Sequence, residues 1–235
     1  MAIERKGATE NSNILKASIS KLDVDAVGVT SLAEWKGTKL EESALRLLPE
    51  ARSVLVFAME VYPEFLALAS PGKTMGVASL NDLLDRNSDF LSGRLTKAAY
   101  DVARACHSIG LKALPLPAAG CPLDTRFLQA VFSYKHAAQA AGLGKMGWHS
   151  LLITPGFGPR VRLSACLTEA ELEPTTINMT LDCESCGICV DSCPAGALAK
   201  PKASEQYAIN KFACSSFRSA SGACSECMRV CPAGR

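Results

Sequence analysis

The chain has 235 residues, of which 48% are hydrophobic and 20% are charged. It is therefore long enough for one large or two small domains, and too apolar for a disordered chain. The chain has 25 Lys and Arg residues and 23 Asp and Glu residues. Because these charges nearly balance, the net charge gives no reason to expect DNA as a partner. The sequence contains no uncharged apolar run of membrane-helix length, no secretory signal and no twin-Arg pair, so we expect a cytoplasmic protein that contacts no membrane.

Cysteine usage is the most informative part of the composition. Eight of the eleven cysteines fall between Cys183 and Cys231, and the others are Cys106, Cys121 and Cys166. A disulfide scaffold would be short, secreted and rich in cysteine throughout. The crowding at one end instead predicts metal thiolates in a reducing compartment.

The first 175 residues predict an α/β layer domain, because helical and strand patterns alternate along them. The run 53–59 is continuously apolar, which is typical of a strand buried on both faces, whereas 160–168 alternates apolar and polar residues. Residues 71–80 predict a loop, and 112–117 predict an edge strand or a loop because of their prolines. The other predicted helices are 11–22, 41–48, 88–109 and 134–141, and the other predicted strands are 25–30 and 148–154.

The three isolated cysteines are predicted to be structural. Cys106 lies on the apolar stripe of the helix 88–109 and is predicted to be in the core. Cys121 and Cys166 have no partner at a ligand spacing.

The segment from Cys183 to Pro194 has the spacing C-x2-C-x2-C-x3-C-P, which is that of bacterial ferredoxins. A zinc site, the alternative, uses C-x2-C pairs with a longer spacer and no fourth Cys-Pro. A second run ends at Cys231-Pro232 and has Ser221 where its first cysteine is expected. Cys214 is the unassigned cysteine that could supply this missing ligand. The alternative is that Cys214 is a free thiol and that the second cluster has three cysteine ligands.

The number of cysteines then matches the eight ligands of two [4Fe-4S] clusters. We expect these clusters in a ferredoxin-like domain, residues 176–235, whose folding depends on cluster binding. The fourth ligand of each cluster is crossed, as in two-cluster ferredoxins. The predicted ligands are Cys183, Cys186, Cys189 and Cys231 for cluster 1, and Cys193, Cys214, Cys224 and Cys227 for cluster 2.

A glycine motif with the spacing G-x-G-x-x-G precedes this domain and consists of Gly142, Gly144 and Gly147. A dinucleotide fingerprint must follow a strand and open a helix, whereas this turn follows a predicted helix and precedes a predicted strand. We interpret it as a helix-ending turn whose glycines allow close approach to the backbone.

Several segments resemble the family of epoxyqueuosine reductases and reductive dehalogenases: Tyr134–Gly144, Gly147–Pro155, Phe157–Leu163 and the cysteine order with its lone Cys214. The first half is less similar and matches best at 47–56. The resemblance implies a nitroreductase-like α/β domain that binds cobalamin, a corrinoid. It also implies that electrons pass from a donor such as ferredoxin or flavodoxin through both clusters to cobalt, which reduces a small or tRNA-borne substrate.

The site residues follow from the resemblance and from side-chain chemistry. A tyrosine beside a cation can donate a proton to a substrate, so the catalytic candidates are Tyr134, Lys135 and His136; packing at a helix start is the alternative for Tyr134. His136 and His149 either ligate a metal or only form hydrogen bonds, and Arg160 either meets a corrinoid tail or faces solvent. The cofactor-binding candidates are Gly142, Gly144, Gly147, His149, Ser150 and Arg160.

The chain also departs from the family. Epoxyqueuosine reductases carry an acidic proton donor before the helix that starts here at Tyr134, but residues 127–132 contain no acid and Asp124 is the nearest. Those enzymes continue into a helical-repeat domain, for which we expect no counterpart here. The alternative function is an iron–sulfur electron-transfer or accessory protein with no substrate of its own.

Overall fold

The computed structural model describes residues 8–68, 78–119, 122–221 and 224–234. Among them, no helix has both the length and the hydrophobicity of a membrane span. The helices are α1 (Ala8–Ile19), α2 (Lys39–Leu47), α3 (Pro63–Leu68), α4 (Ala78–Ser108), α5 (Tyr134–Ala140), α6 (Cys183–Cys186), α7 (Ile188–Asp191), α8 (Lys211–Ala220) and α9 (Glu226–Val230). The strands are β1 (Ala26–Ser31), β2 (Ser53–Glu60), β3 (Ala113–Leu116), β4 (Leu123–Asp124), β5 (Gln129–Ala130), β6 (Lys145–Met146), β7 (Leu152–Ile153), β8 (Val161–Thr168), β9 (Leu198–Ala199) and β10 (Ala208–Ile209).

The chain divides into two units, each assembled from three segments. The first unit comprises Met1–Met59, Leu91–Leu143 and Arg162–Ile177, and the second comprises Glu60–Phe90, Gly144–Val161 and Asn178–Arg235. The cysteine module therefore shares its unit with two segments from the front of the chain. The domain division at residue 175 stays a prediction.

A four-stranded sheet with the order β1-β2-β8-β3 organises the first unit. β1 pairs with β2 and β3 with β8, both antiparallel. The residues 54–58 of β2 are completely buried, which confirms that this apolar strand is covered on both faces. β3 follows β8 at the end of the strand order, which confirms the edge position predicted from its prolines.

Helix α4 packs on the central strand β8 through polar groups as well as apolar ones. The Ser164 hydroxyl donates a hydrogen bond to the Leu95 carbonyl oxygen at 3.0 Å, and the Cys106 sulfur lies 3.3 Å from the Thr168 hydroxyl. These bonds explain why Ser164 and Thr168 are buried, although the alternation of β8 suggested one polar face. Cys106 is buried as predicted, and Cys166, which was predicted only to be structural, is buried too; Cys121 lies outside the described residues.

Most element boundaries differ from the sequence predictions by one to three residues, and two segments differ by more. Helix α4 starts at Ala78, so the predicted loop is wrong at 78–80, and its residues 71–77 lie outside the described chain. The segment from 78 to 87 contains leucines and no Pro or Gly, which favours a helix. The predicted strand 148–154 is reduced to β7, because the chain forms a tight turn before it.

Candidate iron–sulfur and cofactor site

The first cysteine run forms two short helical turns in the second unit. The Asp182 carboxylate caps α6 by accepting a hydrogen bond from the Ser185 amide at 3.0 Å. Gly187 follows with φ +57°, and its amide donates to the Cys183 carbonyl at 3.1 Å. Glycine adopts this left-handed conformation without strain. It reverses the direction of the chain, so that α7, which carries Cys189, starts directly after α6.

The lone Cys214 lies in the first turn of α8. The Asn210 side chain caps this helix by accepting a hydrogen bond from the Ala213 amide at 3.0 Å. Ser221, which takes the place of the missing cysteine in the second run, donates its hydroxyl hydrogen bond to the Phe217 carbonyl at 2.7 Å. The local structure therefore gives Ser221 a role in ending the helix.

The thiol of Cys189 has neighbours from both cysteine runs. Its pKa is raised to about 11, mainly by burial and in addition by nearby thiols. Those thiols belong to Cys183, Cys231 and Cys186. They are the other three members of the first predicted ligand set.

The thiol of Cys227 has the corresponding neighbours of the second set. Its pKa is raised to about 12, mainly by burial and in addition by the thiols of Cys224, Cys214, Cys189 and Cys193. Cys189 belongs to the first set, so the two sets are adjacent at Cys189 and Cys227. Helix α9, which carries Cys227, packs against α7, which carries Cys189.

One backbone group already contacts a cysteine sulfur. The Ala197 amide donates a hydrogen bond to the Cys193 Sγ at 3.3 Å, and hydrogen bonds of this kind stabilise thiolate ligands and tune the potential of a cluster. Within the described part of the chain, no group of three or more His, Cys, Asp or Glu side chains is arranged to hold a single metal ion.

His149 lies in the turn that replaces the predicted strand, also in the second unit. The Gly147 amide donates to the Leu151 carbonyl and the Ser150 amide to the Gly147 carbonyl, both at 2.9 Å. The imidazole is 3% exposed, and its Nδ1 accepts a hydrogen bond from the Leu151 amide at 3.1 Å. In a neutral ring the proton then lies on Nε2, which makes this atom a hydrogen-bond donor rather than a metal ligand.

The three glycines are required by the packing of the chain itself. A Cβ on Gly142 would come within 2.5 Å of the Thr175 carbonyl oxygen, and one on Gly144 would overlap the Ile153 carbonyl. At Gly147 it would lie 2.6 Å from the Ile153 side chain. The glycines thus allow close approach of their own chain, and their role towards a cofactor stays a prediction.

Arg160 is buried, so the solvent-facing alternative is wrong for this residue. Its side chain is 9% exposed. The guanidinium Nη2 donates to the Gly234 carbonyl at 2.9 Å and lies 3.4 Å from the Glu60 carboxylate. Its Nε is buried and has no hydrogen-bond partner among the described residues.

A salt bridge beside the first cysteine run also contacts the turn with His149. The Lys200 ammonium lies 2.7 Å from the Glu184 carboxylate and 5.7 Å from the centre of the Trp148 ring. Sequence reasoning missed Lys200, because a single lysine after a short strand carries no pattern that points to a distant aromatic residue.

The catalytic candidates lie in the first unit, at the start of α5. The Tyr134 hydroxyl donates to the Pro117 carbonyl at 2.6 Å, and the His136 Nδ1 lies 2.7 Å from the Ser133 hydroxyl. Lys135 is half-buried. Asp124, the nearest acid, is bound by Arg126 through two side-chain hydrogen bonds at 3.1 and 2.8 Å.

An antiparallel α/β sheet unit and two adjacent sets of four thiols define an iron–sulfur protein of the two-cluster type. The family described as "4Fe-4S dicluster domain" matches residues 182–235. These residues therefore form the domain that binds two [4Fe-4S] clusters.

Two groups of relatives share most of the chain. A tetrachloroethene reductive dehalogenase from Desulfitobacterium hafniense is 28% identical over 200 residues, covering 77% of this chain and 32% of the relative. The epoxyqueuosine reductase of Bacillus subtilis is 28% identical over 199 residues, covering 79% and 48%. The chain thus spans about a third to a half of the length of these two relatives.

Solved structures show the same fold. A reductive dehalogenase structure described as suggesting a mechanism for B12-dependent dehalogenation has a TM-score of 0.69 at 19% identity, covering 100% of this chain and 33% of that one. An epoxyqueuosine reductase from Bacillus subtilis has a TM-score of 0.54 at 19% identity, covering 97% and 66%. The chain is thus similar in sequence and in fold to the epoxyqueuosine reductases and the reductive dehalogenases, as its sequence motifs suggested.

Proposed function

We propose that this chain is a reductase that carries electrons through its two [4Fe-4S] clusters to a corrinoid held by the α/β domain predicted for residues 1–175, which we take to be nitroreductase-like. The observation that carries the proposal is the adjacency of the two thiol sets at Cys189 and Cys227. An accessory protein with no substrate is not favoured, because the relatives in both groups are named as reductases or dehalogenases.

The eight cysteines would hold the clusters in the crossed arrangement. Cys183, Cys186 and Cys189 share a loop and are joined by Cys231, whereas Cys193 is joined by Cys214, Cys224 and Cys227. The clusters supply one-electron transfer when bound. The protein contributes the enclosure of the thiols and the Ala197 amide, which stabilises the negative charge on the Cys193 sulfur.

Arg160 is the residue whose environment fits a corrinoid best. Its buried Nε lacks an acceptor among the described residues, and leaving such a donor unpaired is costly. The amide or phosphate groups at the edge of a corrinoid offer oxygen acceptors. His149, with its proton on Nε2, and Ser150 would provide further polar contacts, and a corrinoid would supply the reducing metal centre.

Tyr134 would donate the proton that a reduced substrate takes up. Its hydroxyl now donates to the Pro117 carbonyl, so it would have to exchange this acceptor for a substrate atom. Lys135 would stabilise the phenolate that remains, and His136 would orient the start of α5 through Ser133.

The two groups of relatives indicate two substrate classes. One solved epoxyqueuosine reductase of this fold is described with an epoxyqueuosine-modified tRNA stem loop, and one dehalogenase with 3-bromo-4-hydroxybenzoic acid. The corresponding substrates here are a tRNA-borne base or a small molecule, and the electron donor is a ferredoxin or a flavodoxin.

Cobalamin titration of anaerobically purified, cluster-loaded protein tests the proposal. We expect saturable binding, with a change in the visible spectrum. The Arg160→Lys variant keeps the charge but loses the Nε donor, and should bind at least tenfold more weakly while its iron content is unchanged. Arg162→Lys is the matched control, because the Arg162 Nε already donates to the Ser92 hydroxyl at 3.0 Å. No saturable binding to the wild type would refute the corrinoid, and equal binding by both variants would refute the role of Arg160.

A further inference from the structure

Helix α8 combines cations, an exposed aromatic residue and a cluster cysteine. Lys211 and Arg218 are both exposed and stand seven residues apart, which places them on the same face of a helix. Phe212 beside them is 55% exposed. From Gln206 to Ser225 the sequence contains no Asp or Glu, so no acid of this segment offsets the two positive charges.

The cations of α8 differ from Lys200 and Arg229, two other cations of the cysteine module. Lys200 is paired with Glu184, and Arg229 donates to Glu226 at 2.9 Å. Among the described residues, neither Lys211 nor Arg218 forms an ion pair. Their charges are therefore available to a partner, and Phe212 adds an exposed apolar contact.

We propose that this surface, defined by Lys211, Phe212 and Arg218, docks a small acidic electron-carrier protein. The inference rests on the proposed function, in which the clusters carry electrons. Opposite charge would draw an acidic protein to the two cations, and exposed aromatic residues are enriched in protein interfaces. The helix also carries Cys214 of the second thiol set, so a protein bound here would lie beside that cluster.

The docking surface and the corrinoid candidates are connected to different thiol sets of the cysteine module. Lys200 and Glu184 link the first cysteine run to Trp148, and Gly234, just after Cys231, contacts Arg160. The first set is thus the one beside the segment with His149 and Arg160, whereas α8 holds a member of the second set. The transfer from carrier to cluster moves one electron, oxidises the carrier, reduces the cluster and requires no proton.

The test uses flavodoxin as the probe, with the full-length, cluster-loaded protein. Binding of oxidised flavodoxin is measured by calorimetry, and electron transfer from its hydroquinone is followed by stopped flow, because the flavin spectrum is separable from that of the clusters. The variant is Lys211→Glu/Arg218→Glu. The control is Lys36→Glu/Lys39→Glu, which makes the same change of charge at two exposed lysines of the first unit.

At low ionic strength we expect the α8 variant to raise the Kd and to lower the transfer rate at least about tenfold. The control should change neither by more than about twofold, and added salt should weaken binding of the wild type much more than that of the α8 variant. Reduction by dithionite, which needs no docking, should be the same in all three proteins.

Three results would overturn the proposal. The first is an equal effect of the two double variants on flavodoxin binding and electron transfer. The second is a lack of electron transfer from flavodoxin to wild-type protein whose clusters dithionite does reduce. The third is competition between a tRNA stem loop and flavodoxin for Lys211 and Arg218. Absence of clusters that dithionite can reduce would instead refute the proposed function, so the two failures are distinguishable.

Discussion

The ammonium group of Lys200 lies 5.7 Å from the centre of the Trp148 ring. The same ammonium pairs with Glu184, which stands between two cysteines of the first run. A cation over an aromatic face is attracted by the ring quadrupole. One side chain therefore connects the loop of the first thiol set to the turn that holds His149.

We predict that the ion pair between Lys200 and Glu184 stabilises the protein only weakly, because both charged groups are exposed. A double-mutant cycle with Glu184→Gln and Lys200→Met, analysed by chemical denaturation of the cluster-loaded protein, should give a coupling energy of no more than about 1 kcal/mol. The coupling should vanish in high salt. Lys202→Met in place of Lys200→Met is the control and should show no coupling, and a coupling of several kcal/mol would contradict the exposed geometry.

Cys214 should be required for one cluster and not for the other. Cys214→Ala is expected to lower the iron content from about eight to about four per chain, since a [4Fe-4S] cluster needs four ligands. Ser221→Ala is the control, because the Ser221 hydroxyl is used by the Phe217 carbonyl, and it should retain both clusters. Iron and sulfide analysis with EPR checks both variants, and full iron content in Cys214→Ala would exclude it as a ligand.

The end of the chain should depend on a single glycine. Gly158 has φ +56°, and a Cβ there would overlap the Ala233 carbonyl, two residues beyond Cys231. Gly158→Ala should therefore cost about 2 kcal/mol or more and loosen the cluster that uses Cys231. Gly156→Ala, where a Cβ meets nothing within 4 Å, should stay within about 0.5 kcal/mol of the wild type. Thermal unfolding and iron content measure both effects, and equal behaviour of the two variants would contradict this packing.

The sequence predicted what depends on local spacing. The cysteine order predicted two clusters, and the apolar run of β2 predicted a strand buried on both faces. The environment of Arg160 could not be predicted in this way, because its partner Gly234 is 74 residues away. The strand predicted at 148–154 was wrong for a similar reason: the Nδ1 atom of His149 closes a turn that hydropathy does not encode.

The sequence also could not identify the proton donor. The structure provides information on Asp124, the acid nearest to the position of the family's acidic proton donor. Two hydrogen bonds from the Arg126 guanidinium hold the pKa of Asp124 below its usual range. The ion pair therefore stabilises the folded chain at pH values above the ordinary carboxyl range, and this contribution is lost as the pH falls through the lowered pKa of Asp124.

Asp124 should consequently be ionised at neutral pH and unable to donate a proton. Arg126→Ala should raise the pKa of Asp124 towards that of a free aspartate, because the variant removes both side-chain hydrogen bonds and the positive charge. An NMR titration of the carboxyl carbon measures the change, with Arg104→Ala, an exposed arginine on α4, as the control that should leave it unaltered. If Asp124 titrates near neutral pH in the wild type, the ion pair does not govern it and Asp124 becomes a candidate donor beside Tyr134.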